Sequence, residues 1–317
     1  MLMVPILLSV AFIVFSIMAL TPGDPGSLIL GSGADSQSIA QLNHSLGYDK
    51  PFFVRFAIYL YNLVVKQDMG KSYYGNILVA KEVFSKLPVT VLVALNGMLL
   101  ATLLGIPLGV LSAVKQYSLL DTIPTTIALF LAAVPTFWLG MVLMFVLSQE
   151  LGWLPSSGIG SWRHYVLPTV ALGLPYAAIQ LRFTRSSMLE TIRQDYIRTA
   201  RAKGARERTV IWKHALKNAL LPVVTITGIN FGVLIGGAVI TESLFAIPGL
   251  GSLIINSIRM KDIPMVMGAT IILAGVFSLV MLMVDLLYAF IDPRIKAVYL
   301  RRKSGSKNGK ELRSSAV

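Results

Sequence analysis

Apolar positions along the chain gather into long blocks separated by short polar stretches. A helix needs roughly 20 apolar residues to cross a membrane, and six blocks reach or approach that length: 1–20, 90–114, 123–147, 165–181, 221–240 and 265–291. The fourth is short before Arg182 and is interrupted by Pro168 and Pro175. Proline is tolerated in a spanning helix where neighbours satisfy the freed carbonyl, so the pattern predicts a packed, kinked fourth helix. The blocks together predict an all-α, polytopic membrane protein with six transmembrane helices.

Composition agrees. With 55% hydrophobic residues and a mean hydropathy of +0.72, 317 residues hold more apolar surface than a soluble core of that size hides. The net charge of +13 raises nucleic acid as a partner, but the basic residues sit at the block boundaries rather than interleaved with aromatics on one soluble face, which argues against it. Arg182, Arg185, Arg193, Arg198, Arg201, Lys203, Arg206, Arg208, Lys213 and Lys217 follow the fourth block, and eight more lie between Arg294 and Arg313. An excess of Lys and Arg marks cytoplasmic loops, so both termini are expected in the cytoplasm. The loops with few basic residues (Arg163; Arg259 and Lys261) are then outward.

The chain divides accordingly into a first helix (1–20), an extracytoplasmic segment (21–89), a helical core (90–291) containing a cytoplasmic loop (182–220), and a polar cytoplasmic tail (292–317) expected to be disordered at its end. The outward segment carries a helical stretch, PFFVRFAIYLYNLVV, and is expected to form a small folded cap. The first block starts at Met1 with no Lys or Arg before it: either the true start lies upstream or the later loops set the orientation alone. A cleaved signal peptide is not expected, because a basic n-region is missing and the apolar run is too long.

Candidate chemistry is sparse. The chain has no cysteine, which excludes disulfides, thiolate metal sites and Cys nucleophiles, and His44, His164 and His214 have no ligand spacing. Gly70-Lys71-Ser72 suggests a phosphate loop, but the earlier glycine that such a loop needs is Val65. Any ATP-driven work therefore falls to a partner, and no catalytic constellation is present. Polar residues within the blocks are Asn96, Gln180, Asn230 and Asp285. Such residues pair or line a path: Asn96 and Asn230 are the candidates for a path, and Asp285 for a structural pair with a cytoplasmic Arg. Asn230 also lies among Gly228, Gly232, Gly236 and Gly237, whose spacing permits close helix crossing.

The most informative polar stretch is 195–222, DYIRTARAKGARERTVIWKHALKNALLP. Its small residues Ala200, Ala202, Gly204 and Ala205 sit among arginines, a pattern that lets another protein approach closely and pair its carboxylates. Asp195 is read as the N-cap of a short helix, and Ala200 and Gly204, four apart, as sharing the face pressed into the partner. The stretch 207–218 is read as a rigid continuation into the fifth span. The run resembles the cytoplasmic loop of permease subunits of ABC importers. In that family Glu-Ala-Ala, three residues, then Gly forms a coupling helix; here the matching positions are Arg198, Thr199, Ala200 and Gly204, with Arg in place of Glu. That departure and the long separation from Gly204 to Leu221-Pro222 resemble the dipeptide, oligopeptide and nickel branch, as do LTPGDP (20–25), ESLFAIPGLG (242–251) and DLLYAFIDPRIK (285–296).

The resemblance implies a type I ABC importer permease core and a multi-pass subunit of a bacterial or archaeal cytoplasmic membrane. It implies peptide import, with nickel or a metal chelate as the alternative cargo and a stand-alone secondary transporter or channel as a remote one. Partners implied are a second homologous permease forming a heterodimer, two ATPase subunits that hold ATP and magnesium, an extracytoplasmic solute-binding protein, and membrane lipid. The chain itself is expected to hold no cofactor or metal and to be no enzyme. The residues implied in coupling are Asp195, Arg198, Thr199, Ala200, Arg201, Gly204 and Ala205.

Overall fold

The computed structural model describes residues 3–31 and 33–291, with 287–291 by backbone alone. Within them lie thirteen α-helices: α1 (Met3–Leu20), α2 (Pro25–Leu30), α3 (Ser36–Ser45), α4 (Phe52–Val64), α5 (Val79–Val114), α6 (Leu119–Ala133), α7 (Thr136–Leu143), α8 (Val166–Ile192), α9 (Asp195–Ala202), α10 (Glu207–Thr209), α11 (Leu216–Leu244), α12 (Leu250–Arg259) and α13 (Ile263–Ile291). Five helical runs are long and apolar enough to cross a membrane, and the α6–α7 pair makes a sixth span if taken as one.

Three of the expected spans change shape. The second begins at Val79 rather than 90, so the 89/90 boundary falls inside a continuous helix. Lys81, Glu82, Lys86 and Pro88 interrupt the apolar pattern there. Val79 and Val83 are nevertheless fully buried against Leu250, Met265 and Ala269, and that packing carries the helix through. The third is broken by 104° between α6 and α7. Val134, held extended ahead of Pro135 (φ −81°, ψ 128°), is the cause, because a residue before proline is driven out of the helical region. The fourth is not short: α8 runs through Pro175 to Ile192. Pro168 falls in its first turn, where the missing N–H leaves no intrahelical bond unmade.

The core is the packing of α5, α8 and α11 around Val93, Ala94, Leu167, Leu172, Leu234 and Ile235. The extra-long helices fasten at both ends of the bundle. At one end, Glu242 at the close of α11 is fully buried and accepts from the N–H groups of Gly251 (2.7 Å) and Ser252 (3.2 Å), while Thr90 accepts from Leu250 N–H (2.8 Å). A carboxylate there satisfies the free donors of the first turn of α12. The same end holds the segment 21–78, a cap of three short helices. Asp24 caps α2 through Ser27 N–H (2.8 Å) and accepts from the Asn43 amide (2.6 Å), which holds its carboxyl below the usual range. Lys261, 2% exposed, donates to the carbonyls of Thr21 and Gly23. Gly70-Lys71-Ser72 is no phosphate loop: Lys71 is bridged to Leu78, Gly70 lies at φ +80° and the Ser72 hydroxyl donates to Asp262. Burial pushes the Asp262 carboxyl up, and the Ser72 bond opposes that shift.

Candidate functional site

The opposite end of the bundle carries α9. Gln194 precedes it in extended conformation (φ −69°, ψ 150°) without a side-chain cap bond, so Asp195 is the first helical residue and not the N-cap expected from sequence. Its carboxylate still suits the helix dipole and lies 3.9 Å from Arg198. The helix stops in a Schellman motif: Gly204 N–H donates to Arg201 O (2.9 Å) and Ala205 N–H to Ala200 O (3.2 Å), with Gly204 at φ +78°. A left-handed residue at that position ends a helix by satisfying its last carbonyls.

This geometry overturns the shared Ala200–Gly204 face. Gly204 lies beyond the last helical turn, and Ala200 is turned inward with Ala205. Both pack against a buried cluster of Ile197, Met188, Val110, Val210, Ile211 and Ala215. The small residues thus let α9 lie close on its own chain. The exposed face consists of Asp195, Tyr196, Arg198, Thr199, Arg201, Ala202 and Lys203.

Two further bonds tie α9 down. Arg201 donates twice to Glu207 (Nε to Oε2 3.1 Å, Nη2 to Oε1 2.7 Å), and the Asn218 amide donates to the Tyr196 hydroxyl (2.9 Å). The Arg201–Glu207 pair is 38% and 59% exposed and contributes under about 1 kcal/mol. Full burial of Ile197 stabilises by about 1.5–3 kcal/mol, so apolar contact is the main anchor. From Glu207 the chain is helical without a break through α10, a π-helical stretch (Val210–Ala215) and α11. A displacement of α9 therefore acts on the foot of a helix that reaches the far end of the bundle.

Sequence reasoning missed the neighbouring clamp. Arg185 of α8 holds Asp121 of α6 in a two-point bond (2.6 and 2.7 Å), and Asp121 also accepts from Tyr117 N–H (3.0 Å). Ser187 donates to Ala219 O (2.9 Å), joining α8 to α11. Asp121 lies just ahead of the block read as the third span (123–147), and an isolated carboxylate at the edge of an apolar run is itself the signal that a cation faces it.

The residues named for a path are not brought together by any bond. Asn96 on α5 is half-buried, Asn230 on α11 is 8% exposed, and among the described residues neither side chain makes a hydrogen bond. Gly228 and Gly232, on either side of Asn230, face α13: a Cβ on them would lie 2.2 Å from Val284 and 2.3 Å from Met281. Asp285 is exposed on α13 and makes no ion pair among the described residues. The basic residues expected to pair with it, from Arg294 onward, lie outside those residues.

Residues 105–297 match the family described as "Binding-protein-dependent transport system inner membrane component", and residues 1–94 match the N-terminal region of such membrane components. The chain is 42% identical over 294 residues to the "Glutathione transport system permease protein GsiC" of Salmonella choleraesuis, covering 93% of this chain and 96% of that one. It is 39% identical over 324 residues to the "Dipeptide transport system permease protein DppB" of Alkalihalophilus pseudofirmus, covering 93% and 97%. Among solved structures it resembles the MetNI methionine ABC transporter in an inward facing conformation (TM-score 0.56, 20% identity, 67% of this chain and 96% of that one). It also resembles an amino acid ABC transporter (TM-score 0.53, 14% identity, 68% and 94%).

Proposed function

We infer the role of this chain from its family: it belongs to the inner membrane components of binding-protein-dependent transport systems, and it is a multi-pass permease subunit of an ABC importer. The cargo is a short peptide. One observation carries this reading, the near full-length likeness to permeases named for glutathione, itself a tripeptide, and for dipeptides. A nickel chelate is less favoured on the same ground.

The chain forms half of a pathway, paired with a second, related permease, and receives cargo from an extracytoplasmic binding protein. ATP and magnesium belong to two ATPase subunits, and hydrolysis is theirs. The basic loop and tail lie in the cytoplasm with both termini, and 21–78 lies outside. The coupling surface is the exposed face of α9, with Arg198, Thr199 and Arg201 toward the ATPase and Asp195 at its start; Ala200, Gly204 and Ala205 set its position on the body. ATP-driven closure of the ATPase pair moves α9, and α10–α11 passes that motion to the bundle as alternation of access. Asn96 and Asn230 remain the candidates for the path, and Asp285 for a pair with the basic tail.

Uptake tests the reading. Proteoliposomes holding the assembly, given the binding protein outside and ATP within, should accumulate labelled dipeptide saturably, with excess unlabelled dipeptide competing and a nickel chelate not. Accumulation without ATP by the chain alone, or of the chelate in preference, contradicts it.

A further inference from the structure

At the cap end a cavity of about 210 Å³ lies between α1, α4 and the start of α13, lined among others by Phe15, Tyr48, Arg55, Tyr59, Tyr73 and Pro264. Its chemistry is unbalanced. The Arg55 guanidinium lies over the rings of Tyr48 (4.3 Å) and Phe15 (5.8 Å). Its Nε is buried without a hydrogen-bond partner, and it makes no ion pair among the described residues. The Tyr59 hydroxyl, one turn further along α4, is also buried and unpartnered. Lys50 adds a second cation to the lining. The one lining carboxylate, Asp68, accepts from Gly70 N–H (2.8 Å).

Buried donors left without acceptors are costly, and two on one helix face that, among the described residues, bond neither Asp68 nor any other acceptor point to a ligand rich in acceptor oxygens. A guanidinium fork suits phosphate in particular. The surroundings identify its source. Phe15 lies five residues before the end of α1, about 7.5 Å along the helix axis, near the level where a spanning helix leaves the hydrocarbon. The outer faces of the same helices are apolar and exposed, through Phe12, Ile13 and Ile17 on α1 and Phe53, Tyr61 and Val64 on α4. Water is a poor neighbour for α4, and acyl chains are a good one.

We propose that this cavity binds the phosphate of a phospholipid in the leaflet at the cap end, with Arg55 and Tyr59 as donors and the acyl chains along the exposed faces of α1 and α4. The lipid seats α4 against α1 and is separate from the transported cargo. The proposal stands whatever that cargo is.

Native mass spectrometry of the assembly purified in neutral detergent tests it, with Arg55→Gln, Tyr59→Phe and, as a control just beyond the end of α4, Lys66→Gln. The wild type and Lys66→Gln should retain a phospholipid on this chain, and added phosphatidylglycerol should raise their melting temperature. Arg55→Gln should weaken retention roughly tenfold, the loss of one charge-assisted hydrogen bond. Tyr59→Phe, which removes only a hydroxyl, should weaken it less and fold normally. Equal retention in all four proteins overturns the proposal. So does inorganic phosphate raising the melting temperature as much as phosphatidylglycerol at equal concentration, since the site then serves a soluble anion.

Discussion

Gly204 offers a way to separate two explanations of the same residue. If α9 is pressed into a partner at Gly204, any side chain there harms coupling in proportion to its bulk. The geometry gives a different order. Gly204 sits at φ +78°, and a Cβ built on it meets nothing within 4 Å, so within this chain a substitution acts through the backbone alone. Placing an ordinary L-residue in the left-handed region costs about 1–2 kcal/mol. Asn adopts that region more readily than Ala, and a β-branched residue less readily than either. That cost is comparable to the apolar burial of Ile197 that holds α9 down, so the population with α9 detached should rise about 5–30-fold for Gly204→Ala. Amide exchange at Lys203 and Ala205, whose N–H groups bond Thr199 and Ala200, should quicken by that factor, less for Gly204→Asn and more for Gly204→Val. ATP-driven uptake should fall in the same order. Asn is larger than Ala, so a greater loss in Gly204→Asn than in Gly204→Ala would refute the backbone argument and restore direct contact at this position.

Other consequences follow from the packing. Gly109→Val should block folding, because a Cβ there meets Leu181 O and Thr184 Cβ at 2.7 Å, and overpacking of this kind costs about 1–3 kcal/mol or more; Gly236→Ala, with nothing within 4 Å, should leave the melting temperature unchanged. Asp121→Ala strands Arg185 and should destabilise by about 2–3 kcal/mol, much of it recovered in the Asp121→Ala/Arg185→Ala double variant, whereas Glu207→Ala should cost under about 1 kcal/mol; thermal unfolding of the four proteins decides this. Asp24 has a lowered folded pKa, so its contribution is complete above the ordinary carboxylate value of 3.8 and is lost as pH falls through the depressed one. Asn43→Ala removes the largest cause of that shift, and acid-induced exchange at the Ser27 amide should begin at a higher pH in that variant.

The sequence pattern was a good guide where burial is uniform and a poor one where polar residues have internal partners. Six apolar blocks locate the spans because lipid demands continuous hydrophobicity. The early start of α5 is hidden in the sequence because Lys81, Glu82 and Pro88 share its first turns with Val79 and Val83, and only the packing against α12 and α13 shows which set decides. The break at Val134 was legible in principle, since Pro135 follows it, yet the apolar run continues across and masks the turn. At α9 the residue types point to a short helix with small residues but do not say which way those residues turn. A helix of eight residues has too few turns for periodicity to say which face is inward, and the glycine that ends it resembles one that packs. Glu207, six residues from Arg201, and Asp121, 64 from Arg185, are partners that only the fold brings into range.

The central claim is that the exposed face of α9 meets an ATPase subunit. The chain has no cysteine, so Thr199→Cys carries a single reactive thiol on that face. Cross-linking of the assembled transporter through this thiol should capture an ATPase subunit, with a yield that changes when ATP is added, while Ser156→Cys at the opposite end of the bundle captures none. A Thr199→Cys protein that still imports peptide but joins no ATPase subunit in either nucleotide state contradicts the account.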